Sequence, residues 1–134
     1  MKKITLFALA IIIVMSIFSC SKKNATTTPS VVGYWAGVYG NGIATPSIFY
    51  SFLIRSNGTV RIYANNADTA AADLAVGNYS YTSSTITINK YSYINGTGTY
   101  SVTGTLSADG KTWSGTWGAG ANTTGGGTFS VTKQ

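Results

Sequence analysis

Across residues 31–134 apolar and polar side chains alternate with a period of two, the repeat of a half-buried β-strand. The alternation predicts eight strands, over 32–39, 48–55, 59–64, 76–82, 85–91, 99–107, 112–118 and 128–133. No window carries a 3.6-residue apolar period. Only the Ala-rich stretch 68–75 has the composition for a helical turn or two.

Parity sets the hairpin registers. Ile48, Tyr50, Phe52 and Ile54 are even and apolar, as are Val60, Ile62 and Ala64, whereas Arg61 is odd. A two-residue Asn57-Gly58 turn would oppose Ile54 to Arg61. A three-residue Ser56-Asn57-Gly58 loop opposes Ile54 to Val60, with Gly58 in the left-handed position of a bulged turn. By the same logic Tyr79 and Tyr81 face Ile88 and Ile86. Leu106 and Val102 face Trp113 and Trp117, with Gly104 opposite Gly115. Short antiparallel strands in successive hairpins predict an all-β fold, a small antiparallel up-and-down β-barrel of about eight strands, whose closure leaves no exposed edges. A β-sandwich is the alternative, because periodicity does not distinguish a closed sheet from two packed ones.

The first twenty residues break the pattern. Lys2 and Lys3 precede an apolar run over 4–18, shorter than the roughly 20 residues that span a bilayer. Ile17-Phe18-Ser19-Cys20 resembles a bacterial lipobox, and Cys20 is the chain's one cysteine. The resemblance implies a lipoprotein signal peptide over 1–19, acylation of Cys20 (palmitate-type chains) and a membrane anchor. A cleaved signal peptide with Cys20 as bystander and an uncleaved anchor are the alternatives. Residues 20–30 have no bulky apolar side chain after the cysteine and read as a tether. Residues 31–134 form one domain. By resemblance to bacterial sorting rules, Ser21 implies the outer membrane. Lys22 and Lys23 depart from acidic surface-export signals, which favours its periplasmic face.

Composition narrows the chemistry. The 134 residues include no His and three acidic residues, Asp68, Asp73 and Asp109. That excludes His-based general-base catalysis and Ser-His-Asp or Cys-His nucleophiles. It also excludes a His/Cys zinc site. The chain is expected not to be an enzyme and to need no cofactor. Its net charge of +6 is concentrated near the N-terminus. From residue 31 onward, Arg55, Arg61, Lys90, Lys111 and Lys133 stand against three Asp, a net of +2. No nucleic-acid footprint remains, and a monomer is expected.

Gly33-Tyr34-Trp35 opens the first strand, and Ser114-Gly115-Thr116-Trp117-Gly118 lies in a late one. Gly-x-Trp at the start of a small antiparallel barrel is similar to the opening of the calycin families: lipocalins, fatty-acid-binding proteins and avidins. The late Gly- and Trp-containing run looks like avidin-type strands. With the leader, the chain resembles the small lipocalin-like lipoproteins of Bacteroidetes. The resemblance implies that Trp35 is structural and packs across the barrel floor beneath a basic residue of the last strand, for which Lys133 is the candidate.

Aromatic side chains are the main anomaly. Tyr50, Tyr79, Tyr81, Tyr100, Trp113 and Trp117 have inward parity and are the candidates for binding a small apolar or aromatic ligand. The competing reading is a barrel interior filled by its own side chains, as in an envelope interaction or structural lipoprotein. Lys90 shares the inward parity of Ile88 and is expected at a barrel mouth. Asn65, Asn66, Asp68 and Asp73 lack the oxygen spacing of a calcium loop, so no metal is expected and the segment reads as a polar loop. Asp68-Thr69-Ala70 resembles an O-glycosylation acceptor of exported Bacteroidetes proteins. Gly125-Gly126-Gly127 precedes a strand rather than a helix and reads as a flexible approach to it, not a phosphate loop.

Overall fold

Eight strands form where the alternation runs: β1 (Gly33–Tyr39), β2 (Ile48–Ile54), β3 (Thr59–Ala64), β4 (Asp73–Thr82), β5 (Thr85–Tyr93), β6 (Thr99–Leu106), β7 (Thr112–Ala119) and β8 (Gly127–Lys133). A computed structural model describes residues 28–134. The expected signal peptide over 1–19, the expected acylation of Cys20 and the expected tether as far as residue 27 lie outside the described residues. Each strand pairs antiparallel with its neighbour in sequence, and β1 pairs with β8, so the sheet closes into a barrel. The sandwich alternative is thereby excluded.

The three hairpin registers hold: Ile54 opposes Val60, Tyr79 opposes Ile88, and Leu106 opposes Trp113. Gly58 has φ 83°, the left-handed conformation the bulged turn requires. Gly104 opposes Gly115, and a Cβ on Gly104 would come within 2.6 Å of the Trp113 indole nitrogen.

Two expectations are corrected. The Ala-rich stretch forms no helix; Ala71 N–H closes one turn onto the Asp68 carbonyl, and β4 starts at Asp73. Lys90 does not point inward. Between Ile88 and Tyr91, β5 advances three residues while its partner β6 advances two, from Val102 to Tyr100. The extra residue is a β-bulge with Lys90 at φ 51°, and its side chain is exposed. Buried Ser101 pins the bulge: its hydroxyl accepts from the Lys90 N–H at 3.0 Å and donates to the Gly120 carbonyl at 2.7 Å. Inward parity therefore passes from Ile86 and Ile88 to Tyr91 and Tyr93.

The lower barrel is filled. Trp35, Phe52, Trp113 and Phe129 are buried and packed ring to ring, with Phe52–Trp113 centroids at 4.5 Å and Trp113–Phe129 at 4.8 Å. Ile54, Val60, Ile62, Ile86, Ile88 and Val131 surround them. Trp35 donates its indole N–H to the Val31 carbonyl at 2.9 Å and meets Trp113 edge-on. Lys133 Nζ lies 5.6 Å from the Trp35 ring centroid and donates to the Ser30 carbonyl. Residues 29–31 thus cap this end, with Pro29 also close against Gly110. The last residues of the tether segment are part of the floor.

Candidate functional site

The opposite end is open. It gathers the C-terminal ends of β1, β3, β5 and β7 and the N-terminal ends of β2, β4, β6 and β8. There a cavity of about 310 Å³ is lined by Tyr39, Asn41, Tyr50, Asn65, Asp73, Tyr91, Tyr93, Tyr100 and Trp117. Six of these nine are aromatic, and they form a nearly continuous girdle. Tyr50 and Tyr39 ring centroids lie 5.2 Å apart, Tyr39 and Trp117 6.0 Å, and Trp117 and Tyr100 6.0 Å. Tyr100 then meets Tyr91 and Tyr93, each at 5.9 Å. A 2.7 Å hydrogen bond between the Tyr91 and Tyr50 hydroxyls links the two ends of this run of rings.

The remaining arc is polar. Ala64 of β3 pairs with Asp73 of β4, and neither brings a ring to the wall. Asn65 follows in the left-handed conformation (φ 69°), which Asn tolerates better than most residues. Its backbone N–H donates to the Phe49 carbonyl, its side-chain oxygen accepts from the Tyr39 hydroxyl at 2.8 Å, and its side-chain NH₂ donates to the Asp73 carboxylate. Asp73 is the one charged side chain of the lining. Among the described residues no three His, Cys, Asp or Glu converge as metal ligands.

Burial raises the pKa of four of the lining phenols, Tyr39, Tyr50, Tyr91 and Tyr93. It pushes Tyr91 up to about 12 and also raises Tyr50 and Tyr93, with the neighbouring phenols Tyr91 and Tyr39 adding to the effect at Tyr50, and the same two adding to it at Tyr93. Tyr39 is also raised, first by burial and then by Asp73. The lining therefore offers aromatic rings and phenol hydroxyls, with its one carboxylate, Asp73, on one side.

Trp117 is held in place by its surroundings. Its indole N–H donates to the Gly40 carbonyl at 3.0 Å, and its ring lies on Gly126, where a Cβ would come within 2.4 Å. The glycine run is pinned rather than loose: Gly126 N–H donates to the Trp117 carbonyl, and Gly42 N–H to that of Gly126. Its small size makes room for the indole.

Of the aromatic residues singled out from sequence, Tyr50, Tyr100 and Trp117 line the cavity. Trp113 belongs to the filled floor. Tyr79 and Tyr81 stand on the floor side of the bulge, where Tyr79 donates its hydroxyl to the Arg55 carbonyl. The parity reading missed Tyr91 and Tyr93 because the bulge reverses it. It also passed over Tyr39, which shares the odd parity of Trp35. Asn41, Asn65 and Asp73 carried no signal in a polar stretch. Thr69 is exposed at a turn in which Asp68 accepts from the Ala70 N–H. No protein-family model, curated protein or solved structure matches the chain, so the site is read from its own chemistry.

Proposed function

We propose that the protein is a lipocalin-like lipoprotein, anchored through Cys20, that binds a small ring-bearing molecule in the open mouth of its barrel. The observation that carries this reading is the girdle of six aromatic side chains around a solvent-accessible cavity of about 310 Å³. That volume is at the lower end of small-molecule sites and suits one or two rings rather than a long acyl chain. Aromatic walls with hydroxyls at their edges favour a ring that stacks or meets them edge-on. The filled floor keeps such a ligand near the rim. The tether reaches the barrel at the closed end, so the anchor does not obstruct the mouth.

The test is a screen of aromatic rings, fatty acids and short glycans against residues 28–134, read by tryptophan emission. Aromatic rings are expected to perturb the signal saturably, and Trp117→Phe to remove most of the change. A signal that no ligand perturbs would favour the alternative, an envelope protein whose barrel only presents loops. Ile43 and Ile94, exposed beside the mouth, are the observation that favours it. Anchoring is tested separately: Cys20→Ser is expected to abolish fatty-acid labelling, and labelling of that variant would refute it.

A further inference from the structure

An aromatic girdle alone does not say which rings it takes; its single charge does. The cavity lining contains no Lys or Arg and one carboxylate, Asp73, set where the circuit of rings is interrupted. From the mouth reading above, on which this rests, we infer that the ligand class is a cationic amine: a compact ring carrying an ammonium group, with the cation held between the tyrosine faces and the Asp73 carboxylate.

Three features converge on that class. Ring faces attract cations through their quadrupole, and several faces around one space strengthen the effect as water is displaced. Tyr39, Tyr50, Tyr91, Tyr93, Tyr100 and Trp117 supply such faces. Asp73 supplies the countercharge. Asn65 occupies one of its oxygens, Oδ2, with a donated hydrogen bond and orients the carboxylate from the side. A carboxylate accepts several hydrogen bonds, so it retains capacity for an ammonium donor. Lastly, a carboxylate ligand would meet Asp73 and the negative ring faces with no cation to receive it, which selects against anions.

A second cleft of about 210 Å³ adjoins the site and shares Asp73 and Tyr93 with it, together with Leu74, Asn95 and Gly96. A substituent on the amine thus has a path across the rim. Primary, secondary and tertiary ammonium groups each keep an N–H to donate to Asp73, whereas a quaternary one would rely on the rings and the charge of the carboxylate.

The experiment compares three probes of one size, 2-phenylethylammonium, 2-phenylethanol and phenylacetate, by calorimetry on residues 28–134. The ammonium is expected to bind about tenfold more tightly than the alcohol, and the carboxylate more weakly than either. Asp73→Asn keeps an acceptor for Asn65. It is expected to weaken the ammonium about three- to fivefold, more so at low salt, and to affect the alcohol less and without salt dependence. Equal affinities for all three probes would overturn the amine assignment while leaving the mouth as a ring site. Tighter binding of the carboxylate would do the same. Binding of none would overturn both.

Discussion

The two ends of this barrel put aromatic side chains to different uses, Trp and Phe at the floor and mainly Tyr at the mouth. At the floor, Trp35, Trp113, Phe52 and Phe129 are buried and ring-packed, and the Trp35 indole N–H is satisfied by the Val31 carbonyl. At the mouth, Tyr39, Tyr100 and Trp117 remain partly exposed, and the hydroxyls of Tyr39, Tyr50 and Tyr91 hydrogen-bond along the rim. Each end also sets one charge against its rings: Lys133 over Trp35 at the floor, Asp73 beside the girdle at the mouth. The cation at the floor is already bound to the Ser30 carbonyl. On the proposed reading, the difference separates stability from recognition. Substitutions in the floor are expected to change folding and spare the mouth, whereas substitutions around the mouth are expected to change ligand binding and, where they touch its buried hydroxyls, stability as well.

The largest effect is expected at Trp113. Trp113→Ala removes the ring at the centre of the floor cluster and should cost about 3–5 kcal/mol, measured by chemical denaturation. A loss under about 1 kcal/mol would mean that the floor is not the packed core described. Alkaline pH is next and acts on the mouth. A phenol with a raised folded-state pKa keeps its proton longer in the folded chain than in the unfolded one. Its contribution is complete below about pH 10, where unfolded tyrosine titrates. It is lost as pH rises toward about 12, the value for Tyr91. For Tyr91 alone this is on the order of 2–3 kcal/mol. Stability should therefore fall between these limits, and Tyr91→Phe should flatten the fall. An unchanged profile in that variant would place the Tyr91 hydroxyl in water.

Two smaller effects sharpen the contrast. Gly58→Val, at the hairpin on the floor side, should cost about 1–3 kcal/mol through backbone strain, because nothing lies within 4 Å of the added Cβ to oppose it. Ligand affinity should not move. Ser101→Ala, behind the mouth, should cost about 1–2 kcal/mol, since the Lys90 N–H loses its acceptor. Here affinity should fall several-fold, because the bulge that turns Tyr91 and Tyr93 inward is released. Retained affinity would show that the bulge is held by the chain around it instead.

The barrel was legible because alternation is a local property. Ile54 against Val60 and Leu106 against Trp113 follow from parity and turn length alone. The mouth was only partly legible. Tyr50, Tyr100 and Trp117 lie on strands of constant parity, so alternation reached them. Tyr91 and Tyr93 lie beyond a bulge. The signal for it was present: apolar Ile86 and Ile88 are even, whereas Tyr91 and Tyr93 are odd, a phase change inside one strand. Asp73 and Asn65 come together through the β3–β4 connection and the Tyr39 hydroxyl of β1. That is tertiary information which no periodicity carries.

The most direct measurement is the set of three indole N–H resonances during titration with 2-phenylethylammonium. Trp35 and Trp113 are buried in the floor, whereas Trp117 lines the mouth. Only the Trp117 signal is expected to shift progressively and saturate, with the Trp35 and Trp113 signals fixed. A shift confined to Trp113, or no shift in any of the three, would contradict a filled floor beneath a ligand-binding mouth.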